Sequence, residues 1–357
     1  MPRDLLEHTF DLIAGDYSDG SSSSDEGRPE MAEVEIMTDP PNRIFIFFGE
    51  VFVRLEQRGE MFSRSICGME FGVEFARLGN HVEFFSVLPE GVMGDEIVEK
   101  GTDQGMDMRA VRPSDGFPVG DVYVFEDGRA GIQRSQSCFV NHIGEIKWKE
   151  GIIADKTPCW VHSACSSFTW SDRTGEQWTT FMETACDPQR NRDEVFVSVE
   201  LDNANSRIAM SGLWKMVEPF VSRISVLVLT PSELVDLMKV VGMEENLGEN
   251  SDGWNYQMRS LSKVVDCTCI VLAFSSENMG SLAVFHKVHG FVHSKPEEAD
   301  IKTLLAKFIH AWNISGSIEN SYHFQQLVSG SSRPAQSYKS SRKSMVPGAS
   351  KSQRIEV

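Results

Sequence analysis

The chain has 357 residues, of which 41% are hydrophobic, and its 22 Phe and 7 Trp supply bulky core material. That much apolar surface excludes a mainly disordered protein, because disordered chains cannot offset the entropy of ordering. Fifty-two acidic residues against 34 basic ones give a formal charge of −18, which argues against direct nucleic-acid binding.

No apolar run approaches the roughly 18 residues needed to cross a bilayer, so no membrane span is expected. The opening MPRDLLEHTFDLIAGDY lacks the basic-then-apolar order of a secretory signal and the Arg-rich character of a transit peptide. Seven cysteines (67, 138, 159, 165, 186, 267, 269) are scattered without a CxxC pair. They read as reduced, buried thiols. The expected location is the cytoplasm, with an organelle left open.

Three segments differ in composition. Residues 1–42 hold eleven acids against Arg3 and Arg28, around a Ser21–Ser24 run. Residues 331–357 are Ser-rich and basic, with six Lys/Arg against Glu356. Both read as disordered tails, and the body of 43–330 between them stays acidic.

The body opens with Arg43-Ile-Phe-Ile-Phe-Phe-Gly-Glu50, a short apolar run stopped by Gly, which predicts a buried strand. A helix is expected over 68–78, a strand over 81–88, and a helix over 96–105 ending at Gly105. Residues 121–128 alternate and end in Asp-Gly, a hairpin signal. Strands over 194–200, 225–229 and 269–274 follow, each preceded by a helix-like stretch. That alternation predicts a parallel sheet covered on both faces.

The order of landmarks is specific. Gly49-Glu50 is followed by Phe75-Ala-Arg-Leu-Gly79, Gly91-Val-Met-Gly-Asp95, Gly105-Met-Asp107 and Gln133-Arg134-Ser-Gln-Ser137. Trp160-Val-His-Ser163, Val197-Ser-Val-Glu200, Leu213-Trp214 and Leu229-Thr-Pro-Ser-Glu-Leu234 complete it. Over roughly residues 43–312 this succession resembles the pfkB/ribokinase family of carbohydrate kinases, most of all its 2-keto-3-deoxygluconate kinase branch.

The resemblance implies an α/β fold, a ribokinase-like three-layer α/β/α sandwich with a small β-lid from about 50–66 and 116–138. It also implies ATP at a Gly-Ala-Gly-Asp loop, whose backbone amides hold the phosphate and whose Asp takes the sugar proton.

No Gly-Ala-Gly-Asp occurs in the chain. Its nearest counterpart is Glu297-Glu298-Ala299-Asp300, where two carboxylates would repel a phosphate. Asp300 is then the candidate base, with its register to the following helix open by about two residues. Thr230-Pro-Ser-Glu233 stands where the family has Asn-x-x-Glu, so Thr230 and Glu233 are candidate cofactor residues, Glu233 for Mg²⁺. Of the nucleotide-loop glycines only Gly280 remains. Arg134, Tyr123, Glu70 and Arg207 match substrate-contacting positions by the resemblance, while Arg54 reverses the charge of an Asp.

His286, His289 and His293 cluster in sequence, but strand alternation is expected to separate His286 from the other two, so no metal is expected there. The favoured reading is a degenerate sugar-kinase-like protein, catalytically inactive, without cofactor, and serving as a structural or interaction subunit. It would act with protein partners or a larger complex, and could form a homodimer through the lid. The alternative is an ATP- and Mg²⁺-dependent kinase of a small acidic sugar such as 2-keto-3-deoxygluconate. An acidic-sugar ligand bound without phosphorylation is a third possibility.

Overall fold

The computed structural model describes residues 43–329, except 60, 127–128, 134–135, 147–157, 188–194, 203–205, 207, 244–249, 277–278, 316–317 and 319. Both charged tails lie outside the described residues.

Strand β1 (Ile44–Phe48) is the expected buried apolar run, flanked in the main sheet by β4 (Val82–Val87) and β8 (Cys159–Ala164). Outward from β4 lies β5 (Met106–Val111), and outward from β8 lie β9 (Val195–Glu200), β10 (Val226–Leu229) and β11 (Cys269–Ser276). These pair in parallel. Two antiparallel strands, β12 (Met279–His286) and β13 (Gly290–His293), close one edge of the nine-stranded sheet.

A second sheet of four strands stands apart from the first. It is built from β2 (Phe52–Arg58), β3 (Met61–Cys67), β6 (Gly120–Val124) and β7 (Ala130–Gln133), in the order β3-β2-β6-β7. The hairpin expected near 121–134 is the antiparallel β6–β7 pair. Its Asp-Gly turn lies outside the described residues.

Helices cover both faces of the large sheet because its strands carry aromatics on alternate sides. On one face Phe45 and Phe47 pack against Phe75 and Phe71 of α1 (Glu70–Arg77), with ring centroids 4.5 Å and 5.5 Å apart. Trp160 meets Trp312 of α8 (Ile301–Ser315) on the same side. On the other face Phe48 lies 4.6 Å from Phe168 and 5.2 Å from Phe181 of α4 (Asp172–Ala185). Each buried ring contributes about 2–3 kcal/mol, so these layers supply much of what holds the sheet.

The remaining helices are α2 (Val92–Asp103), α3 (Cys138–His142), α5 (Met210–Val217), α6 (Pro231–Val240), α7 (Ser251–Leu261) and α9 (Ser321–Val328). Helix α2 starts four residues before the expected position, at Val92, because Gly91 caps it in a left-handed conformation. The seven cysteines are free, and all but Cys67 are buried.

One expectation is corrected. His286 and His289 are not held apart by alternation: the turn after β12 folds back and stacks their rings at 4.6 Å. His286 Nδ1 accepts hydrogen bonds from the amides of Val288 and His289, so the pair belongs to a turn. His293 packs instead against Phe274.

Candidate functional site

In the large sheet the chain leaves β1 toward the lid, then returns to β4 on one side and later to β8 on the other. Ligands of open α/β sheets bind outside the carboxyl ends of strands at such a reversal. A cavity of about 330 Å³ opens there, between the ends of β1, β8 and β9 and the underside of the lid.

Its floor is built by short, local devices. Glu50, 2% exposed just past β1, accepts a hydrogen bond of 2.7 Å from Ser137 Oγ, and Ser137 also caps α3. Gly68 ends the lid strand β3 at φ +97°, and a Cβ there would stand 2.4 Å from the Glu50 carbonyl oxygen. Only glycine lets the chain pass so close and turn into α1. That turn delivers Glu70, whose Oε2 accepts from the Gly68 amide at 2.9 Å.

From the opposite side, α8 sends Lys302 into the cavity, with Nζ 3.4 Å from Glu70 Oε2. Burial works against the lysine's charge, but Glu70 and Glu200 outweigh it and hold its pKa above the ordinary value. Its ammonium is therefore a fixed cation. Asp300 does not line the cavity: its Oδ1 accepts from the Lys302 amide at 2.9 Å, capping α8.

The end of β9 contributes Glu200 and Asp202. Burial, then the charges of Asp202 and Glu233, push the Glu200 carboxyl up to about 7, although Lys302 opposes them. Asp202 takes φ +48°, a left-handed backbone unusual for a residue with a side chain, and its Oδ2 accepts from Ser166 Oγ at 2.5 Å. His162 Nε2 lies 3.9 Å from Glu200 Oε2, and its Nδ1 meets Ser198 Oγ at 2.9 Å. Burial, helped by the Lys302 charge, lowers the imidazole pKa to about 3, so it stays neutral.

Glu200 sets a pH dependence. A carboxyl raised from 4.5 to about 7 by folding destabilises the fold once ionised. The penalty is absent below pH 4.5, grows as pH rises toward 7, and is complete above it. Glu200→Gln is expected to stabilise the protein at pH 8 by roughly 1–2 kcal/mol after solvent screening. The gain should vanish at pH 4. Melting curves of both proteins across that range check it, and a gain independent of pH would remove the assignment.

The residues singled out in the sequence divide between the cavity and its surroundings. Glu70 and Arg54 line it, with Arg54 paired to Glu56 at 2.7 Å. Tyr123 is in the lid but does not line the cavity; Val122 does, and adjacent strand residues point to opposite faces. Thr230 and Glu233 form a reciprocal capping box at the start of α6, in which the buried Glu233 accepts from the Thr230 amide at 2.8 Å.

Gly280 is explained by packing. It bridges to Glu297 through two backbone hydrogen bonds of 2.8 Å, and a Cβ there would stand 2.7 Å from the Ala299 carbonyl oxygen. Arg134 and Arg207 lie outside the described residues. Sequence reasoning missed Lys302, Asp202 and Ser166 as site residues, and read Glu200 and His162 only as landmarks. Their one common signal is position just past, or near the end of, a predicted parallel strand or at a helix start.

Comparison with known proteins places this architecture. No protein-family model matches the chain, and no curated protein matches it. Solved structures do. The 2-dehydro-3-deoxygluconokinase of Thermotoga maritima superposes with a TM-score of 0.66 at 16% identity, covering 82% of this chain and 92% of that one. The fold is that of the PfkB carbohydrate kinases. The PfkB protein of Polaromonas sp. JS666 gives a TM-score of 0.57 at 16% identity, covering 80% of this chain and 93% of its own. A Vibrio cholerae O395 fructokinase, solved with fructose, ADP and calcium ion, gives 0.60 at 12%, covering 80% and 89%. The ribokinase-like sandwich expected from the sequence is therefore present, and these likenesses concern the fold.

Among the described residues, no helix is long and apolar enough to cross a membrane.

Proposed function

We propose that this protein keeps a sugar-kinase fold without transferring phosphate, and serves as a binding or interaction subunit. The observation that carries this reading is Lys302. The resemblance calls for a carboxylate base at the start of this helix, facing the substrate pocket. Here the helix offers the pocket a protonated ammonium already paired with Glu70, and such a group has no lone pair with which to take a hydroxyl proton.

The phosphate site fits no better. The amides of Glu297, Ala299 and Lys302 already donate to Gly280, Glu297 and Asp300. Glu297 and Glu298 add negative charge in front of them, so the segment does not fit the phosphates of a nucleotide. The cavity wall carries Glu50, Glu70, Glu200 and Asp202 against Arg54 and Lys302, a balance that favours a neutral polyol over an acidic sugar.

The lid supports the interaction role. Its edge strand β3 exposes Met61 (74%) and Phe62 (51%), which a second copy pairing edge to edge, or a protein partner, would cover. Protein partners and residence in the cytoplasm belong to this proposal.

The second reading, an ATP- and Mg²⁺-dependent kinase of a small acidic sugar, draws on Glu233 and its electrostatic reach to Glu200. Calorimetric titration of the folded full chain with Mg·ATP, with and without 2-keto-3-deoxygluconate, separates the two. No heat of binding is expected. Millimolar or tighter binding that is lost in Asp300→Asn would replace the inactive reading by the kinase. Light scattering on the same sample tests the lid: a monomer at high concentration removes pairing between copies.

A further inference from the structure

At the amino ends of the strands, the free edge of the large sheet holds a second constellation. His81 stands immediately before β4, Glu83 is the second residue of β4, and Asp107 is the second residue of β5. Glu83 and Asp107 are direct neighbours in the parallel register. One ligand atom from each of the three side chains lies within 4.8 Å of the other two.

Glu83 is the unusual member. It is 3% exposed, yet its Oε2 has no hydrogen-bond partner. A buried carboxylate oxygen left bare is costly, and native proteins rarely keep one without a reason. The cation now nearest is Arg109, whose Nη2 lies 2.7 Å from Asp107 Oδ2 and 3.6 Å from Glu83 Oε1. That second distance is too long for a good hydrogen bond. Arg109 is also half exposed and free to swing into solvent.

We propose that His81, Glu83 and Asp107 form a zinc site, with Arg109 occupying it as a placeholder cation when the metal is absent. An imidazole nitrogen with two carboxylates suits Zn²⁺ and not the all-oxygen preference of Ca²⁺ or Mg²⁺. Bonds of about 2 Å hold tetrahedral ligands roughly 3.3 Å apart, so a modest side-chain closure from the present spacing suffices. The exposed His81 and the half-exposed Asp107 have room to make it. Backbone geometry is already fixed, since the His81 carbonyl accepts from the Phe45 amide at 2.9 Å. Water would complete the coordination. Bound metal would tie β5 to β4 at an edge where, among the described residues, no further strand protects it.

The test is a Zn²⁺ titration of the chelator-treated full chain against a chromophoric competitor. One ion per chain is expected, with micromolar or tighter affinity. His81→Asn and Asp107→Asn should each weaken it about tenfold or more, since even outer-shell losses cost that much. Arg109→Gln should tighten it severalfold by removing the competing cation, an effect that a mere ion-pair cluster has no means to produce. At one Zn²⁺ concentration the ion should raise the melting temperature of the wild type more than that of His81→Asn. Absence of binding overturns the proposal. So does binding that is unchanged in both His81→Asn and Asp107→Asn, which would assign the ion elsewhere, for instance to cysteine.

Discussion

Trp160→Ala is expected to lower stability by about 3–5 kcal/mol, the range for emptying a buried aromatic site. Trp160 is 1% exposed at the centre of the sheet, stacked 5.1 Å from Phe196 and 6.1 Å from Phe45, and edge-on to Trp312 at 5.8 Å. Strands and helix around it cannot all move inward, so most of the cavity persists. Its Nε1 also donates to Ser198 Oγ at 2.9 Å, and the same hydroxyl meets His162 under the pocket. The truncation therefore loosens the site as well as the core. Urea denaturation checks it, and a loss below about 1 kcal/mol would mean that the core collapses around the gap.

Gly68→Ala should cost about 2–4 kcal/mol, combining left-handed backbone strain with a clash. The new methyl would meet the Glu50 carbonyl oxygen at 2.4 Å, a backbone atom, so no flexible side chain can yield. Gly79→Ala is the control. It has a similar φ, +86°, but nothing within 4 Å of the added carbon. It should lose only about 1 kcal/mol, the strain alone. Equal losses at the two positions would show that Gly68 is needed for its backbone angle and not for the close passage of β3 over Glu50. The same clash would shift Glu70, so Gly68→Ala should also disturb its ion pair with Lys302.

Much of the fold is legible in the residues. Ile44–Phe48 and Val226–Leu229 are short apolar runs with no room for alternation, which is how strands covered on both faces must read. The lid hairpin is equally plain, because β6 alternates and is followed by a turn dipeptide. The site was less legible. Thr230 and Glu233 are candidate cofactor residues in the sequence, Glu233 for Mg²⁺, and the structure gives them a capping box, a local pattern that uses the same residue types. Gly280 was singled out for nucleotide, and the structure gives it a close backbone crossing. A motif names residues, and several geometries can require the same ones.

The sequence by itself determined the alternation of strands and helices, hence the parallel sheet, and the absence of a Gly-Ala-Gly-Asp run. Both are local properties of the chain. Only the tertiary structure decided which side chain of the 300–302 segment enters the cavity. Asp300 caps the helix whose first turn sends Lys302 into the cavity, so a small register change exchanges a carboxylate for an ammonium there. The pleat makes the same choice between Val122 and Tyr123. The environment of Glu200 likewise comes from its burial and from Glu233 and Lys302, brought in by other segments of chain, beside the neighbouring Asp202. Register and long-range charge arise only when distant segments meet, and these set the character of the pocket.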